Sequence, residues 1–408
     1  MEITEMFSMA LGLSKPWFIE KVEFVELESS RKKELHLFLD YEKGHSFEVG
    51  IHSSNRIYDH HEKKWRHANF FEHECFLHAH VPRVINKDEK PVLVSVPWAR
   101  QGSQFTLLFE AFSFGLVESG MSFSAAGNQV KEDGRVVFRI VKAYVDKARS
   151  EQRLDQVELA SLDETSFKKG HNYFTILTDV ERKKVVGVGK GKDGNAVQQA
   201  INEMESRSSM ADKVEQVGID LSPAFIGACM DKFENARIVF DRFHVEQMLS
   251  KAVDSVRQLE TDANKQLRKS KYLWLRNASS LKANQQERVH YLSTVFPVLG
   301  EAYRLKEAYK EIFNNVKKDD AIEALEHWIS MVNESKIYPL INFVKSLKTH
   351  WSGVIQYFEK RSSNGFAERV NLKIQEIKRT AKGFRNQDNF ITTIYLHLGK
   401  LNFHFHSM

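Results

Sequence analysis

Between Val157 and Asp241 the sequence changes its hydrophobic period again and again, and few folds accept that order of periods. "VELASLDE" (Val157 to Glu164) reads as a strand ending in Asp163. "HNYFTILTDVERKKVVGVGKGK" (His171 to Lys192) reads as a hairpin turning at "VERK". "GNAVQQAINEMESR" (Gly194 to Arg207) has helical spacing and "KVEQVGID" (Lys213 to Asp220) returns to a strand. "SPAFIGACMDKF" (Ser222 to Phe233) is a helix with Pro223 at its first position, and "ARIVFD" (Ala236 to Asp241) is a strand again. Two of these apolar runs end in a carboxylate, Asp220 and Asp241. Burying an unpaired carboxylate is costly, and ligands of open α/β sheets gather at the carboxyl ends of strands. Each acid also precedes a helical pattern, so each is equally a candidate helix N-cap.

Three strands, helix, strand, helix, strand is the order of a ribonuclease H-like core, with antiparallel strands on one side and βα units on the other. The expected fold class is therefore α/β. Around this core (151–243) the chain divides into further expected parts. Residues 1–104 read as a small β module. Its strands are "KVEFVEL", "ELHLFLD" and a hairpin of "ECFLHAHVPRV" and "KPVLVSVPW" around "NKDE". Residues 105–150 read as three helices: one ended by Gly120, a short one from Ser122 to Val130, and a basic one from Arg135 to Ser150. Short helix, tight turn and basic helix is the helix-turn-helix arrangement, whose last helix enters the major groove; an ordinary three-helix bundle is the alternative. Residues 244–360 read as an all-helical insertion, in which Tyr272, Trp274, Trp328 and Trp351 are expected in the core. Residues 361–408 read as the C-terminal helical part of the core.

A length of 408 residues fits two to four domains. The 42% hydrophobic and 28% charged content is that of a soluble globular protein. No run of about 18 apolar residues is present, so no membrane span is expected. The N-terminus lacks a basic leader and a small-residue cleavage site, and Cys75 and Cys229 are too few for a disulfide framework. Both features lead us to expect a cytoplasmic protein. The net charge of +5 favours a polyanionic partner. The excess is concentrated in Lys360 to Arg385, which holds eight Lys/Arg against two Glu. We expect this segment to contact phosphates.

Three acids stand out together. Asp163 and Asp220, 57 residues apart, fall on strands that neighbour each other in such a sheet, so both carboxylates can reach one cation. Glu368 follows the insertion, in "SSNGFAERVNLKIQEIKR". Glu368 and Asn371, at i and i+3, share a helix face; Val370, Ile374 and Ile377 are expected on the opposite, buried side. Mg²⁺ prefers carboxylates and keeps several waters. Two ions about 3.5–4 Å apart stabilise attacking and leaving oxygens in phosphodiester displacement. Glu164, beside Asp163, is a candidate supporting group. Asp241 and His244 of "DRFH" could position a ligand or cap a helix, and Asn371 is a third positioning candidate. Candidate DNA contacts are Arg135, Arg139 and Lys142 on the basic helix, and Arg369, Lys373, Lys378, Arg379 and Arg385 beyond the last acid.

The stretches "YDHHEKKWRH", "HAHVPRV", "VPWARQGSQFTLLFEAF", "LDETSFKKGHNYFTILTDVERKKVVGVGKGKD", "VGIDLSPAF", "ARIVFDRFHV" and "SSNGFAERVNLKIQEIKRTAKGFRN" carry a resemblance. From about residue 57 to 398 the chain resembles transposases of the ISL3 insertion-sequence family. The resemblance implies a DDE transposase that binds transposon end repeats and catalyses metal-dependent DNA cleavage and strand transfer by a two-metal mechanism. It places the family's acids on Asp163, Asp220 and Glu368 and gives "DRFH" a positioning role. Mg²⁺ is the expected ion, with Mn²⁺ as substitute. Double-stranded DNA is the expected partner, a homodimer the expected assembly on DNA, and the bacterial nucleoid the expected location.

One departure from the family's pattern concerns its usual opening zinc ribbon, because the chain has no CxxC. His73, Cys75, His78 and His80 contain zinc-ligand chemistry, but His78 and His80 alternate along an expected strand whereas ribbon ligands sit at turns. A metal-free β module is the expectation. The competing readings of the whole chain are a catalytically silent DNA-binding regulator derived from a transposase, and a ribonuclease H-like nuclease for branched DNA. A mere binder gains nothing from a cluster of mutually repelling acids, and a structure-selective nuclease does not need the N-terminal DNA-binding modules.

Overall fold

Alternation of apolar and polar residues builds the first sheet. The computed structural model describes residues 2–26, 33–49, 52–54, 56–168, 172–220, 223–240, 242–263, 265–313, 317–360, 365–384 and 386–405. After helix α1 (Ile3–Ala10) come β1 (Trp17–Glu26), β2 (Lys33–Tyr41), β3 (Phe47–Val49), β4 (His52–Ser54), β5 (Ile57–Phe70), β6 (His73–Ile85) and β7 (Pro91–Leu93). The larger sheet runs β1-β2-β6-β5, with β7 also paired to β6, and β3 and β4 form a separate pair. Leu35, Leu37 and Leu39 on β2 and Cys75, Leu77 and Ala79 on β6 face a core shared with Trp17, Trp65 and Trp98. Strand β5 escaped the sequence reading because "YDHHEKKW" is almost wholly polar. It is held by its long antiparallel ladder with β6 rather than by an apolar stripe.

The expected helical trio follows as α2 (Leu107–Glu118), α3 (Phe123–Val130) and α4 (Gly134–Glu151). Thr106, Ser122 and Asp133 are the N-caps, accepting the N–H groups of Phe109, Ala125 and Arg135. The turn between α3 and α4 needs glycine at two places. A Cβ on Gly127 would lie 2.5 Å from the Glu132 carbonyl oxygen, and one on Gly134 would lie 2.9 Å from the Ser124 nitrogen. Glu110, fully buried, accepts hydrogen bonds from Arg100, Ser103 and Tyr144 and so locks α2 to α4 and to the preceding loop. His67 of β5 hydrogen-bonds the Thr106 hydroxyl, tying the sheet to the cap of α2.

The second sheet holds β8 (Leu159–Lys168), β9 (Asn172–Asp179), β10 (Lys184–Lys190), β11 (Gln216–Ile219) and β12 (Arg237–Phe240), with helices α5 (Gly194–Glu205) and α6 (Pro223–Lys232) between the later strands. Its order is β10-β9-β8-β11-β12. β8, β9 and β10 pair antiparallel, whereas β8, β11 and β12 pair parallel. Gly187 and Gly189 let α5 lie directly on β10. A Cβ there would come within 2.1 Å of the Ala200 carbonyl oxygen and 1.8 Å of that of Ala196. One expectation needs correcting. β8 does not end at Asp163 but runs on through "ETSFK", because Thr165 and Phe167 keep burying the face that Asp163 begins to open.

No strand follows Phe240 among the described residues. Helices α7 (Arg242–Ala263), α8 (Lys271–Leu275), α9 (Ala283–Val295), α10 (Pro297–Ile312), α11 (Lys318–Ser335), α12 (Tyr338–Thr349) and α13 (Trp351–Lys360) share one apolar core with the sheet. Trp274 and Trp328 are buried in it as expected, and Trp351 packs partly buried against it. Tyr272 is 71% exposed and belongs to the surface. Helix α14 (Gly365–Thr380) carries the last acid and α15 (Gln387–Leu398) closes the fold.

By internal contacts the chain divides into residues 1–152 with 377–408, and residues 153–376. The end of the chain thus groups with the helical trio, whereas the sequence reading assigned 361–408 to the core. Arg149 of α4 stacks 4.0 Å over the Tyr395 ring, and Phe114 packs against Phe403 and Phe405. No helix among the described residues is long and apolar enough to cross a membrane.

Gly189→Val is expected to destabilise the second unit by about 3 kcal/mol or more, read as a lower urea midpoint with Gly189→Ala in between. Burial, reinforced by the neighbouring Arg66, pushes the His67 imidazole down to about 4. The folded state therefore favours neutral His67. The stability this gives is complete above pH about 6.5 and is lost as pH falls from there towards 4, on the order of 3 kcal/mol. Protection factors of the β5 amides, corrected for the intrinsic exchange rate, should fall over that range, and His67→Asn should flatten the profile.

Candidate active site

Strand pairing brings the first two acids together. In the parallel pair of β8 and β11, Gln216 faces Leu159, Val217 faces Ala160 and Gly218 faces Ser161. Carried two residues further, that register sets Asp220 level with Asp163. The 57-residue spacing seen in the sequence is thus the register offset itself. Neighbouring strands lie about 4.8 Å apart, so carboxylates level across this pair would repel unless donors or a cation intervene.

Among the described residues, three groups approach these carboxylates. The Glu164 backbone N–H donates to Asp163 Oδ1 at 2.7 Å, and the Asn371 amide donates to Asp163 Oδ2 at 2.6 Å. His244 Nδ1, on the first turn of α7, lies 3.2 Å from Asp220 Oδ1. Four residues beyond Asn371, Gln375 reaches the Thr165 hydroxyl at 3.5 Å. Helix α14 therefore crosses β8 with Asn371 and Gln375 reading Asp163 and Thr165 in step. Gln375 and Thr165 were not singled out in the sequence. The available signal was their spacing, Gln375 at i+7 from Glu368 and Thr165 two residues along from Asp163.

Glu368 falls on α14 one turn before Asn371, on the stripe 368–371–375 by helical period; its side chain lies outside the described residues. Asp241 and Arg385 also lie outside them. Val370, Ile374 and Ile377 are buried as expected, but they do not oppose Asn371. At about 100° per residue, Asn371 lies roughly 60° from Ile374, so the polar stripe borders the buried one. Glu164 supports Asp163 through its backbone N–H.

The basic candidates separate into groups. Arg135, Arg139 and Lys142 lie at i, i+4 and i+7 on α4. Arg135 is bidentate to the cap Asp133 at 2.9 Å, Lys142 pairs with Asp146, and Arg139 is exposed. On α14 the helical period sets Arg369 and Lys373 on one face, with Lys373 3.0 Å from Glu376. Lys378 and Arg379 fall on the side of Asn371 and Gln375. Burial lowers the Lys378 pKa, while Arg379 is exposed. The single phosphate-binding run expected from the sequence is thus divided over two faces of the helix.

Asn371 Oδ1 is buried and has no hydrogen-bond partner among the described residues. Next to the Asp163 carboxylate, this amide oxygen is a hard donor of the kind a divalent cation takes. Among the described residues no three His, Cys, Asp or Glu side chains form a metal-ligand group by themselves. In the first sheet, Cys75 is buried on the core face while His78 faces the other way, 2.8 Å from His36, and His73 bonds the Lys33 carbonyl. The zinc-type residues of that strand do not converge.

Comparison with known proteins bears on this site. A family model described as transposase, the DDE-type model of the ISL3 family, matches residues 160–394. A second, described as the helix-turn-helix domain of transposase family ISL3, matches residues 94–145. The chain is 24% identical over 369 residues to the transposase for insertion sequence element IS1557 of Mycobacterium tuberculosis, covering 82% of this chain and 81% of that protein. It is 27% identical over 263 residues to the transposase for insertion sequence element IS1001 of Bordetella parapertussis, covering 61% of this chain and 64% of that protein.

Replacing Asn371 by Leu removes both the donor to Asp163 and the unpaired oxygen. Mn²⁺ affinity by isothermal titration is expected to fall about 10- to 100-fold, while Leu372→Ala, at an exposed neighbour, leaves it unchanged.

Proposed function

Because the chain belongs to the ISL3 family of DDE transposases, we propose that Asp163, Asp220 and Glu368 are its catalytic acids, held in a ribonuclease H-like core. The family makes it a DNA transposase whose chemistry depends on a divalent metal. The observation that carries the assignment is the β8–β11 register, which levels Asp163 with Asp220. The strand order, three antiparallel strands followed by two parallel βα additions, supports the ribonuclease H-like reading. The helices from α7 to α13 are then its insertion.

The three acids would hold two Mg²⁺ ions, with Mn²⁺ substituting. When bound, such ions stabilise the attacking and leaving oxygens of phosphodiester displacement. The protein's own part is positioning. Asn371 fixes the Asp163 carboxylate and His244 fixes that of Asp220, so neither acid spends rotamer freedom at the moment of reaction. Asp241, adjoining β12, would act beside His244. Helix α4 enters the major groove of a transposon end, with Arg135, Arg139 and Lys142 on its leading face. The β module adds contacts to the end repeats. Lys378 and Arg379, on the side of α14 that carries Asn371, would hold phosphates near the acids, and Arg369, Lys373 and Arg385 would contact the DNA backbone further from them. Two ends must meet for strand transfer, so the working assembly is a homodimer on DNA.

The test is cleavage of duplexes that tile the DNA flanking the coding sequence, with Mg²⁺. Wild type should cut at a discrete position and Asp220→Asn should not, while both bind the same duplex with equal affinity. Equal cleavage by the variant would remove Asp220 from the chemistry. Binding without cleavage by either protein would favour a silent DNA-binding regulator.

A further inference from the structure

Beside the acids, the helical insertion carries an open groove of about 580 Å³ between α7, α8 and α10. Its carboxylates are already engaged. Glu246 takes the Arg242 guanidinium at 2.5 Å; Asp254 takes Arg257 at 2.7 Å and Lys271 at 3.4 Å. Its remaining polar groups can donate. Gln247, Ser250 and Lys251 make no side-chain hydrogen bond or ion pair among the described residues. Lys310 at the groove wall occupies the Asn277 carbonyl oxygen, which leaves that amide's N–H groups as donors. With its acids compensated, the groove holds the Lys251 ammonium with Gln247, Ser250 and the Asn277 amide able to donate beside it, which suits an anion with several oxygens.

The groove also has a fixed relation to the site. Gln247 and Lys251 lie at i+3 and i+7 from His244, which touches Asp220. Seven residues of helix span roughly 10 Å, about three steps of a DNA strand at 3.4 Å each. We propose that this groove seats the phosphate backbone of the reacting DNA strand, about three nucleotides from the phosphate at the acids. The proposal rests on the assignment of Asp163 and Asp220 and takes its probe from the cleavage assay, but its own readout is binding.

The probe is the duplex cut in the cleavage assay, bound in EDTA so that no chemistry occurs, with a neutral methylphosphonate walked through the strand. Wild type should lose affinity about 3- to 10-fold when the substitution falls about three nucleotides from the cut. Lys251→Ala should lose a similar factor on unmodified DNA and lower the slope of log affinity against log salt by about 1. The methylphosphonate should then add nothing further in Lys251→Ala. Lys251 is exposed, so the variant should fold, and an unchanged melting curve checks this. Unchanged affinity and slope in both Lys251→Ala and Lys251→Glu would overturn the proposal. So would a change in oligomeric state with the salt slope intact, which would make the groove a protein contact. Retained cleavage in Asp220→Asn would instead sink the catalytic assignment, whatever the groove does.

Discussion

Everything in the second unit depends on β8 being paired on both sides. It is antiparallel to β9 along nearly its whole length and parallel to β11 from Leu159 to Ser161, and its buried residues fix which way Asp163 faces. A slip of one residue against β11 would turn Asp163 to the other side of the sheet and separate it from Asp220. The two carboxylates pay for their closeness with mutual repulsion. The fold offsets it with the Glu164 N–H, the Asn371 amide and His244. A divalent cation would offset it further, and the unpaired Asn371 oxygen leaves room in the donor set for one.

The elements that deliver those donors are themselves held by close backbone approaches. Glycines at 187 and 189 let α5 press against β10, and Gly353 lets α13 meet the Phe240 ring at the end of β12. The second of these contacts lies against the end of β12, from which α7 departs. The same device recurs in the first unit, where Gly127 and Gly134 draw α3 and α4 into a tight turn. There the buried Glu110 network then fixes the angle of the basic helix. Rigid presentation of charged side chains is thus built in both units from small residues and buried hydrogen bonds.

Much of this was legible in the residues. The helical trio was readable because Ser122 is a strong cap signal and Gly120 a strong stop. The strands and helices from Val157 to Phe240 were readable because their periods alternate cleanly. Strand β5 was not, since a polar strand held by its ladder has no hydrophobic period. The extension of β8 past Asp163 was hidden as well, because the charged pair Asp163–Glu164 looks like a terminus to any local reading. The division of the basic run over two faces of α14 follows from helical period and could have been read earlier. Its Lys/Arg count drew attention to composition instead of angle.

What the sequence determined by itself is the identity and spacing of the groups: two aspartates 57 residues apart, a glutamate and an asparagine one helical turn apart, and a histidine just past the last strand. Those are local facts, fixed by covalent order and by the 2.0 and 3.6 periods. What only the tertiary structure decided is which of them meet. Register between β8 and β11 levels the aspartates, and the crossing of α14 over β8 brings Asn371, 208 residues away, to within 2.6 Å of Asp163. Such pairings are set by the packing of whole elements around a shared core, a long-range free energy that no window of the sequence contains.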